Sequence, residues 1–263
     1  MQKNIIKFEP TGLAILKKIR EDYFRVIGLP QELLIEWIIV KGTCFKILSG
    51  RRFIGYFILS KNNYLVEFHL LGKYAVEREV IFKQVLDEFS VSKAFCKSFD
   101  PLLITCCHTF CKRSRIYGTL FRDYTNSVTG TWDNGISVRL AAAINIHFLL
   151  QFESGLYESP EELKYMVNNK MIYLFWKGEY LIGCGFLIKI LPDKNFYDIG
   201  MWTNPVFRNQ GYATKIIAWL KKHCLENNLI PVCGCSVDNI ASRRTLEKNG
   251  FTSRHCLIEF IFS

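Results

Sequence analysis

Apolar residues recur at helical spacing from Thr11 to Val26, and Gly28-Leu29-Pro30 ends that run, which predicts a first helix preceded by a short strand, Ile5 to Phe8. Gln31 to Val40 is a second helix stopped near Gly42. Cys44 to Leu48 and Phe53 to Leu59 are strands on either side of a turn at Ser49-Gly50-Arg51. Tyr64 to Leu71 is a further strand, Val80 to Phe89 a helix, and Ala94 to Phe99 a strand. Asp100-Pro101 then opens another helix, since proline suits a first turn.

The second half repeats this order. Ser137 to Leu140 is a strand and Asn145 to Phe152 is helical. Ser159-Pro160-Glu161-Glu162 caps the next helix, with serine as the cap and a carboxylate three residues on. Met171 to Trp176 and Tyr180 to Lys189 form a hairpin around Lys177-Gly178-Glu179. The strand Phe196 to Trp202, a helix from Thr214 to Cys224, the strand Val232 to Val237 and the helix Ile240 to Asn249 follow, and Gly250 stands past that last helix end. Two local matches support an internal repeat: Gly50-Arg51-Arg52-Phe53-Ile54-Gly55 with Gly178-Glu179-Tyr180-Leu181-Ile182-Gly183, and Ser98-Phe99-Asp100-Pro101-Leu102 with Ser236-Val237-Asp238-Asn239-Ile240. The join is placed in the turn-rich stretch Asp123 to Gly135. The expected division is residues 1–122, a linker at 123–136, and residues 137–263.

Between the strand ending at Trp202 and the helix after it lies Pro205-Val206-Phe207-Arg208-Asn209-Gln210-Gly211-Tyr212-Ala213-Thr214. Gly211 admits backbone angles closed to other residues, and Ala213 lets a ligand pass close by. The helix that follows opens with unpartnered N–H groups at its positive dipole end, a site suited to phosphate, and Arg208 adds a fork of donors. No G-x-x-x-x-G-K-[ST] and no G-x-G-x-x-G is present, so neither the triphosphatase loop nor the dinucleotide-fold loop applies. In the first half the corresponding stretch, Gly72-Lys73-Tyr74-Ala75-Val76-Glu77-Arg78-Glu79, carries two carboxylates, which repel a diphosphate. The first copy is therefore expected to be non-catalytic.

The pattern [R/Q]-x-x-G-x-[G/A] after a strand and Pro205 resembles the pyrophosphate loop of the GNAT acetyltransferase superfamily. The resemblance runs over most of Ser137 to Phe260. Ser137-Val138-Arg139-Leu140-Ala141 looks like the family's opening strand, Asp198 to Arg208 like its fourth strand running into the loop, and Asn239 to Phe251 like its fifth-strand exit, next helix and G-F. The tandem layout is similar to bacterial members with a degenerate N-terminal copy. What the resemblance implies is an α/β layered fold, a mixed and mostly antiparallel central sheet flanked by helices, in two tandem copies. It also implies acetyl-CoA as co-substrate and direct transfer to a primary amine. Backbone groups of Met201, Trp202 and Thr203 would pair with the pantetheine arm as an added strand does. Arg208, Asn209, Gln210, Gly211, Tyr212, Ala213 and Thr214 would hold the pyrophosphate. Asn239 would reach the pantetheine from the other side, unless it is a plain helix cap, and Ser242 would sit near the thioester. Asp198 is the candidate general base, with a carboxylate that only orders its neighbours as the other reading. Many members place a tyrosine as general acid five residues before the G-F glycine. Here Leu246 or its immediate neighbours stand at that place, and none is tyrosine. The tail, Thr252 to Ser263, has room for one long strand or a cramped hairpin.

Composition changes this picture little. Of 263 residues, 49% are hydrophobic and 22% charged, so a packed core is expected and disorder is not. The opening Met1 to Lys7 is not a secretory leader, and no run is long enough to span a bilayer, so a cytoplasmic protein with no membrane partner is expected. The net charge of +10 favours a polyanion such as CoA, but scattered Lys and Arg do not choose one, and no nucleic-acid partner is expected. The ten cysteines fit reduced thiols; Cys44, Cys96, Cys184, Cys233 and Cys235 sit in apolar strings. Cys106-Cys107-His108-Thr109-Phe110-Cys111 lacks a second ligand pair, and no metal is expected. The function expected is N-acetyl transfer to a small amine. An acyl-CoA sensor or scaffold without catalysis, and an aminoacyl or acyl transferase with a larger acceptor, are the alternatives.

Overall fold

The protein is described here by a computed structural model covering residues 5–126, 135–152 and 157–263. The chain divides into two compact units, Met1–Leu120 with His255–Ser263, and Phe121–Arg254. In chain order the first half contains β1 (Ile6–Thr11), α1 (Leu13–Ile27), α2 (Leu33–Val40), β2 (Thr43–Ser49), β3 (Arg52–Leu59), β4 (Leu65–Leu70), a 3-10 turn at Gly72–Glu77, α3 (Arg78–Glu88), β5 (Lys93–Lys97), α4 (Pro101–Phe110) and β6 (Arg113–Tyr124). The second contains β7 (Ile136–Leu140), α5 (Ile146–Leu149), α6 (Pro160–Asn168), β8 (Ile172–Lys177), β9 (Tyr180–Lys189), β10 (Phe196–Thr203), α7 (Tyr212–Glu226), β11 (Ile230–Ser236), α8 (Ile240–Lys248) and β12 (Phe251–Ile261).

Each unit is a mixed α/β layer, a mostly antiparallel sheet flanked by helices. In the first the strands run β1-β2-β3-β4-β5-β12, parallel only between β4 and β5. In the second they run β7-β8-β9-β10-β11, parallel only between β10 and β11. The tail is one long strand whose end, Leu257 to Ile261, pairs with β5 and belongs to the first unit. β6 is the element that periodicity does not predict: Arg113 to Tyr117 are all exposed, so no buried stripe marks its start. Most of the proposed linker, residues 127–134, lies outside the described residues.

Local chemistry places the helix ends. Asp100 accepts from the Leu103 N–H at the start of α4, with Pro101 in the first turn. Ser159 does the same for α6 through the Glu162 N–H. The packing of α7 on the second sheet depends on two glycines of β9. A Cβ on Gly185 would stand 2.9 Å from Phe175 Cε2 and 3.0 Å from Leu220 Cδ1, and one on Gly183 would collide with the Trp202 carbonyl. Ile199, Ile216, Ile217 and Leu220 fill the resulting contact with Phe175 and Ile182.

Gly55 of the first unit stands in the same situation, its absent Cβ overlapping the His69 carbonyl. Gly55 pairs with Leu70 as Gly183 pairs with Thr203. Aligning those pairs sets His69 against Trp202, Glu67 against Gly200, and Leu65 against Asp198. The parallel pairs agree, because β4 leaves β5 after Leu65↔Ala94 and β10 leaves β11 after Asp198↔Val232. The faint repeat in the sequence is thus a geometric one.

The first unit fills the space beyond that divergence with a buried polar network. Glu67, fully buried, accepts from Arg20 Nε (2.9 Å) and Nη2 (2.9 Å), Tyr56 Oη (2.6 Å) and Gln31 Nε2 (3.2 Å). Arg20 also grips Glu36 through Nη2 at 2.7 Å. Lys97 Nζ donates to Tyr23 Oη (2.6 Å), which donates to Asp100 Oδ2 (2.7 Å). Burial alone would raise the Glu67 pKa, but Arg20 and Lys97 outweigh it and hold it below the usual value. Burial prevails at Glu36 and Asp100, whose pKa values are raised.

Candidate functional site

β10 and β11 pair only at Phe196↔Ile230, Tyr197↔Pro231 and Asp198↔Val232. Beyond that the two strands separate, β10 continuing to Thr203 and β11 to Ser236. The Asn204 N–H bonds to Ile182 on the β9 side, and the Asn195 carbonyl accepts from Ile230 on the β11 side. By strand alternation the backbone groups of Met201 and Thr203 therefore point into the gap. Side chains alternate in the other sense. Ile199 and Met201 pack toward the α7 core, and Asp198, Gly200 and Trp202 share the opposite face.

The loop after β10 is held by its own side chains. Asn204 accepts from the Val206 N–H and donates to the Leu181 carbonyl. Arg208 Nε donates to the Thr203 carbonyl at 3.2 Å, and Gln210 Nε2 to the Val206 carbonyl at 3.1 Å. Asn209 and Gly211 both take left-handed backbone angles, at φ of 60° and 81°. Tyr212, buried, opens α7 and accepts from Lys177 Nζ at 3.2 Å. In the second unit, α6 and α8 begin with side-chain caps from Ser159 and Asn239; α7 begins at Gly211 with none. The first N–H groups of a fifteen-residue helix, Tyr212, Ala213 and Thr214, thus stand without a capping side chain beside an exposed arginine. A Cβ at Gly211 would meet nothing within 4 Å, so the approach is open. The helix starts two residues earlier than its apolar periodicity suggests, which makes Tyr212 and Ala213 its first turn.

The structure brings Asp198, Met201, Trp202, Thr203 and the segment Arg208 to Thr214 onto one strand–loop–helix unit, and Asn239 and Ser242 to the start of α8. Asp198 is half-buried. Asn239 Oδ1 accepts from the Ser242 N–H at 3.0 Å, so it caps α8, and the Ser242 side chain is half-buried. Leu246 is 2% exposed in the core with Phe251 and Ile216, and the neighbouring Thr245 gives its hydroxyl to the Ala241 carbonyl at 2.9 Å, so no tyrosine or other acid stands at that position. Cys106 and Cys107 are buried in the first core, and burial pushes the Cys106 thiol up to about 12.

The first unit has no such cradle. Its α3 begins at Arg78 behind Glu77, at φ −96°, where the second has a left-handed glycine, and Arg78 Nη1 turns back to the Ala75 carbonyl. Glu67, Lys97 and Asp100 occupy the divergence of β4 and β5. Saturation at one acetyl-CoA per chain is expected, and a second site of equal affinity would contradict this difference between the units.

Of the three residues expected to offer backbone groups to the pantetheine, Trp202 turns its own toward β9 with Asn204, and what sequence reasoning missed is its side chain, on the face that Asp198 and Gly200 share. The Trp202 indole N–H is buried and has no hydrogen-bond partner among the described residues. No helix among the described residues is long and apolar enough to cross a membrane.

Comparisons with known proteins agree with this geometry. Residues 13–124 match the profile described as Acetyltransferase (GNAT) domain, and residues 142–251 that described as Acetyltransferase (GNAT) family. Over 87 residues the chain is 36% identical to the uncharacterized N-acetyltransferase YjdG of Bacillus subtilis (strain 168), covering 31% of this chain and 49%, about half, of that relative's length. Among solved structures, an acetyltransferase of the GNAT family from Colwellia psychrerythraea superposes with a TM-score of 0.89 at 17% identity, over 98% of this chain and 100% of that one. A tandem GNAT protein from the clavulanic acid biosynthesis pathway superposes with a TM-score of 0.58 at 11% identity, over 97% and 98%. These structural likenesses speak to the fold, and the two profile matches, which together span most of the sequence, to the family. The chain belongs to the GNAT acetyltransferase family, with two GNAT domains in tandem.

Proposed function

We propose that this protein is an N-acetyltransferase that uses acetyl-CoA to acetylate a primary amine, with the second unit as the working copy. The observation that carries the reading is the uncapped start of α7 behind left-handed Gly211, at the mouth of the β10–β11 divergence. The N–H groups of Tyr212, Ala213 and Thr214 would hold the diphosphate with Asn209, Gln210 and Arg208 around it. Met201 and Thr203 would pair with the pantetheine amides along the open edge of β10. For the latter, Arg208 must release the Thr203 carbonyl it now holds, so its guanidinium would turn from backbone to phosphate.

Acetyl-CoA supplies an activated acetyl group: the amine nitrogen bonds to the acetyl carbon, the carbon–sulfur bond breaks, and an N-acetylamine and free thiol result. Asp198, at the point where β10 and β11 part, takes the proton that the amine nitrogen must lose, directly or through water. With Leu246 buried, the leaving sulfur departs as thiolate or is protonated by water or Ser242.

Replacing Asp198 with Asn should lower turnover at neutral pH by about a hundredfold and leave acetyl-CoA affinity within twofold. Release of free thiol against a panel of amines measures the former, calorimetry the latter. Unchanged turnover would remove Asp198 from the mechanism. The buried Leu246 favours a second reading, an acyl-CoA-binding sensor; acetyl-CoA binding without thiol release for any amine would select it.

A further inference from the structure

The face of β10 opposite α7 carries Asp198, Gly200 and Trp202 in succession. In the first unit the residue matching Gly200 is Glu67, whose carboxylate draws Arg20, Tyr56 and Gln31 around it and fills that volume. The second unit has no side chain at that position. The nearest atom to a Cβ built on Gly200 is Phe186 Cδ2 at 3.5 Å, ordinary contact, so the fold does not require glycine at this position. Its backbone is not left-handed either. What glycine provides is room between Asp198 and Trp202.

The Trp202 end of this room is aromatic. The Phe152 ring meets Trp202 edge-on at 5.3 Å and Phe148 at 5.1 Å, and Phe148 stacks on Trp176 at 5.5 Å with planes 24° apart. Phe148, Phe152 and Trp176 are each half-buried, so part of every ring remains accessible. Trp202 is 4% exposed, and its Nε1 has no hydrogen-bond partner among the described residues. A buried unpaired donor is unfavourable, and phenylalanine would occupy similar space without one. An indole retained here suits a hydrogen-bond acceptor that arrives with a ligand.

We infer that the acceptor is a primary amine with a planar apolar body and a carbonyl or carboxylate oxygen. It lies across Gly200 with its amine toward Asp198, its body against Phe148, Phe152 and Trp176, and its oxygen accepting from Trp202 Nε1. Asp198 and Trp202 are about 13 Å apart along the strand, a span that an aromatic amine with a short polar arm fits once both side chains reach inward. The inference rests on the acetyltransferase reading above.

The test uses the full chain with acetyl-CoA and four amines: 4-(2-aminoethyl)benzamide, whose amine and carbonyl stand at opposite ends of the ring, phenethylamine, spermidine and glucosamine. Thiol release gives kcat/KM, and calorimetry gives amine binding to the CoA-loaded protein. 4-(2-Aminoethyl)benzamide should lead, phenethylamine should follow some three- to tenfold lower for want of the carbonyl, and the two polar amines should trail by at least about a hundredfold. Trp202→Phe keeps an aromatic ring but removes the donor, and should erase the difference between the first two amines. Gly200→Val should cut kcat/KM for both aromatic amines by about a hundredfold while acetyl-CoA affinity stays within threefold. Spermidine or glucosamine outpacing both aromatic amines overturns the acceptor class, as does an unchanged preference for the amide in Trp202→Phe, or failure of either aromatic amine to bind or react. If the wild type does not bind acetyl-CoA at all, the acetyltransferase reading fails and takes this inference with it; binding with the wrong amine preference sinks the acceptor class alone.

Discussion

Replacing Gly211 with glutamate is expected to abolish acetyl-CoA binding without unfolding the second unit. Gly211 stands at φ 81° and ψ 0°, with nothing within 4 Å of an added Cβ, so the side chain itself meets no obstacle. Backbone strain in the left-handed region costs about 1 kcal/mol, which a packed domain tolerates. The larger effect is electrostatic. A carboxylate at this position lies against the first N–H groups of α7, where it complements the helix dipole and takes the place of the diphosphate. Repulsion between two unit charges about 4 Å apart near a protein surface is about 4 kcal/mol, roughly a thousandfold in affinity. Gly211→Ala carries the strain without the charge and should weaken binding by about tenfold or less. Calorimetric titration of both variants separates the contributions. A glutamate variant that binds as tightly as the alanine one would remove the helix start from the binding site.

The largest stability effect is expected in the other unit. Glu67→Gln removes the charge on which Arg20, Tyr56 and Gln31 converge and leaves the Arg20 guanidinium, already shared with Glu36, short of its main partner. Breaking a buried pair of this kind typically costs about 3–5 kcal/mol. The loss should depend on pH with a definite sign. The folded-state pKa of Glu67 lies below its ordinary value of 4.5, so its contribution is full above that value and is lost as pH falls through the folded pKa. The gap between wild type and Glu67→Gln should therefore be widest near neutral pH and narrow only as pH falls through the depressed folded-state value, below 4.5. Glu36 and Asp100 act the other way: with raised folded values they favour the fold most at low pH and lose that contribution as pH rises through those values. Chemical denaturation over a pH series from neutrality down through the acid unfolding range measures the difference. A constant gap would show that Glu67 contributes by shape and not by charge.

Much of the fold was legible because its signals are local. Capped helix starts at Asp100 and Ser159, the hairpin about Gly178 and the stops at Gly28 and Gly250 follow from neighbouring residues. Gly211 and Arg208 pointed to the loop for the same reason. The rest depends on residues far apart in the chain. Arg20 and Glu67 are separated by 47 positions, and only packing brings them together. Charged residues inside apolar strings, Glu67 in Leu65-Val66-Glu67-Phe68 and Lys97 after Phe95-Cys96, were the available clue. β6 escaped because its first half is exposed and carries no buried period. Strand alternation puts Gly200 on one face with Asp198, but only Glu67 in the matching position shows that the second unit has no side chain where the first unit has a buried carboxylate. The Trp202 N–H could not be read at all, since an unsatisfied donor is a property of the folded surroundings.

Calorimetric titration of the intact chain with acetyl-CoA tests the central claim most directly. Binding at one site per chain, lost in Gly211→Glu, is the result the α7 cradle and the filled first unit predict. No binding, or two equivalent sites, would contradict it.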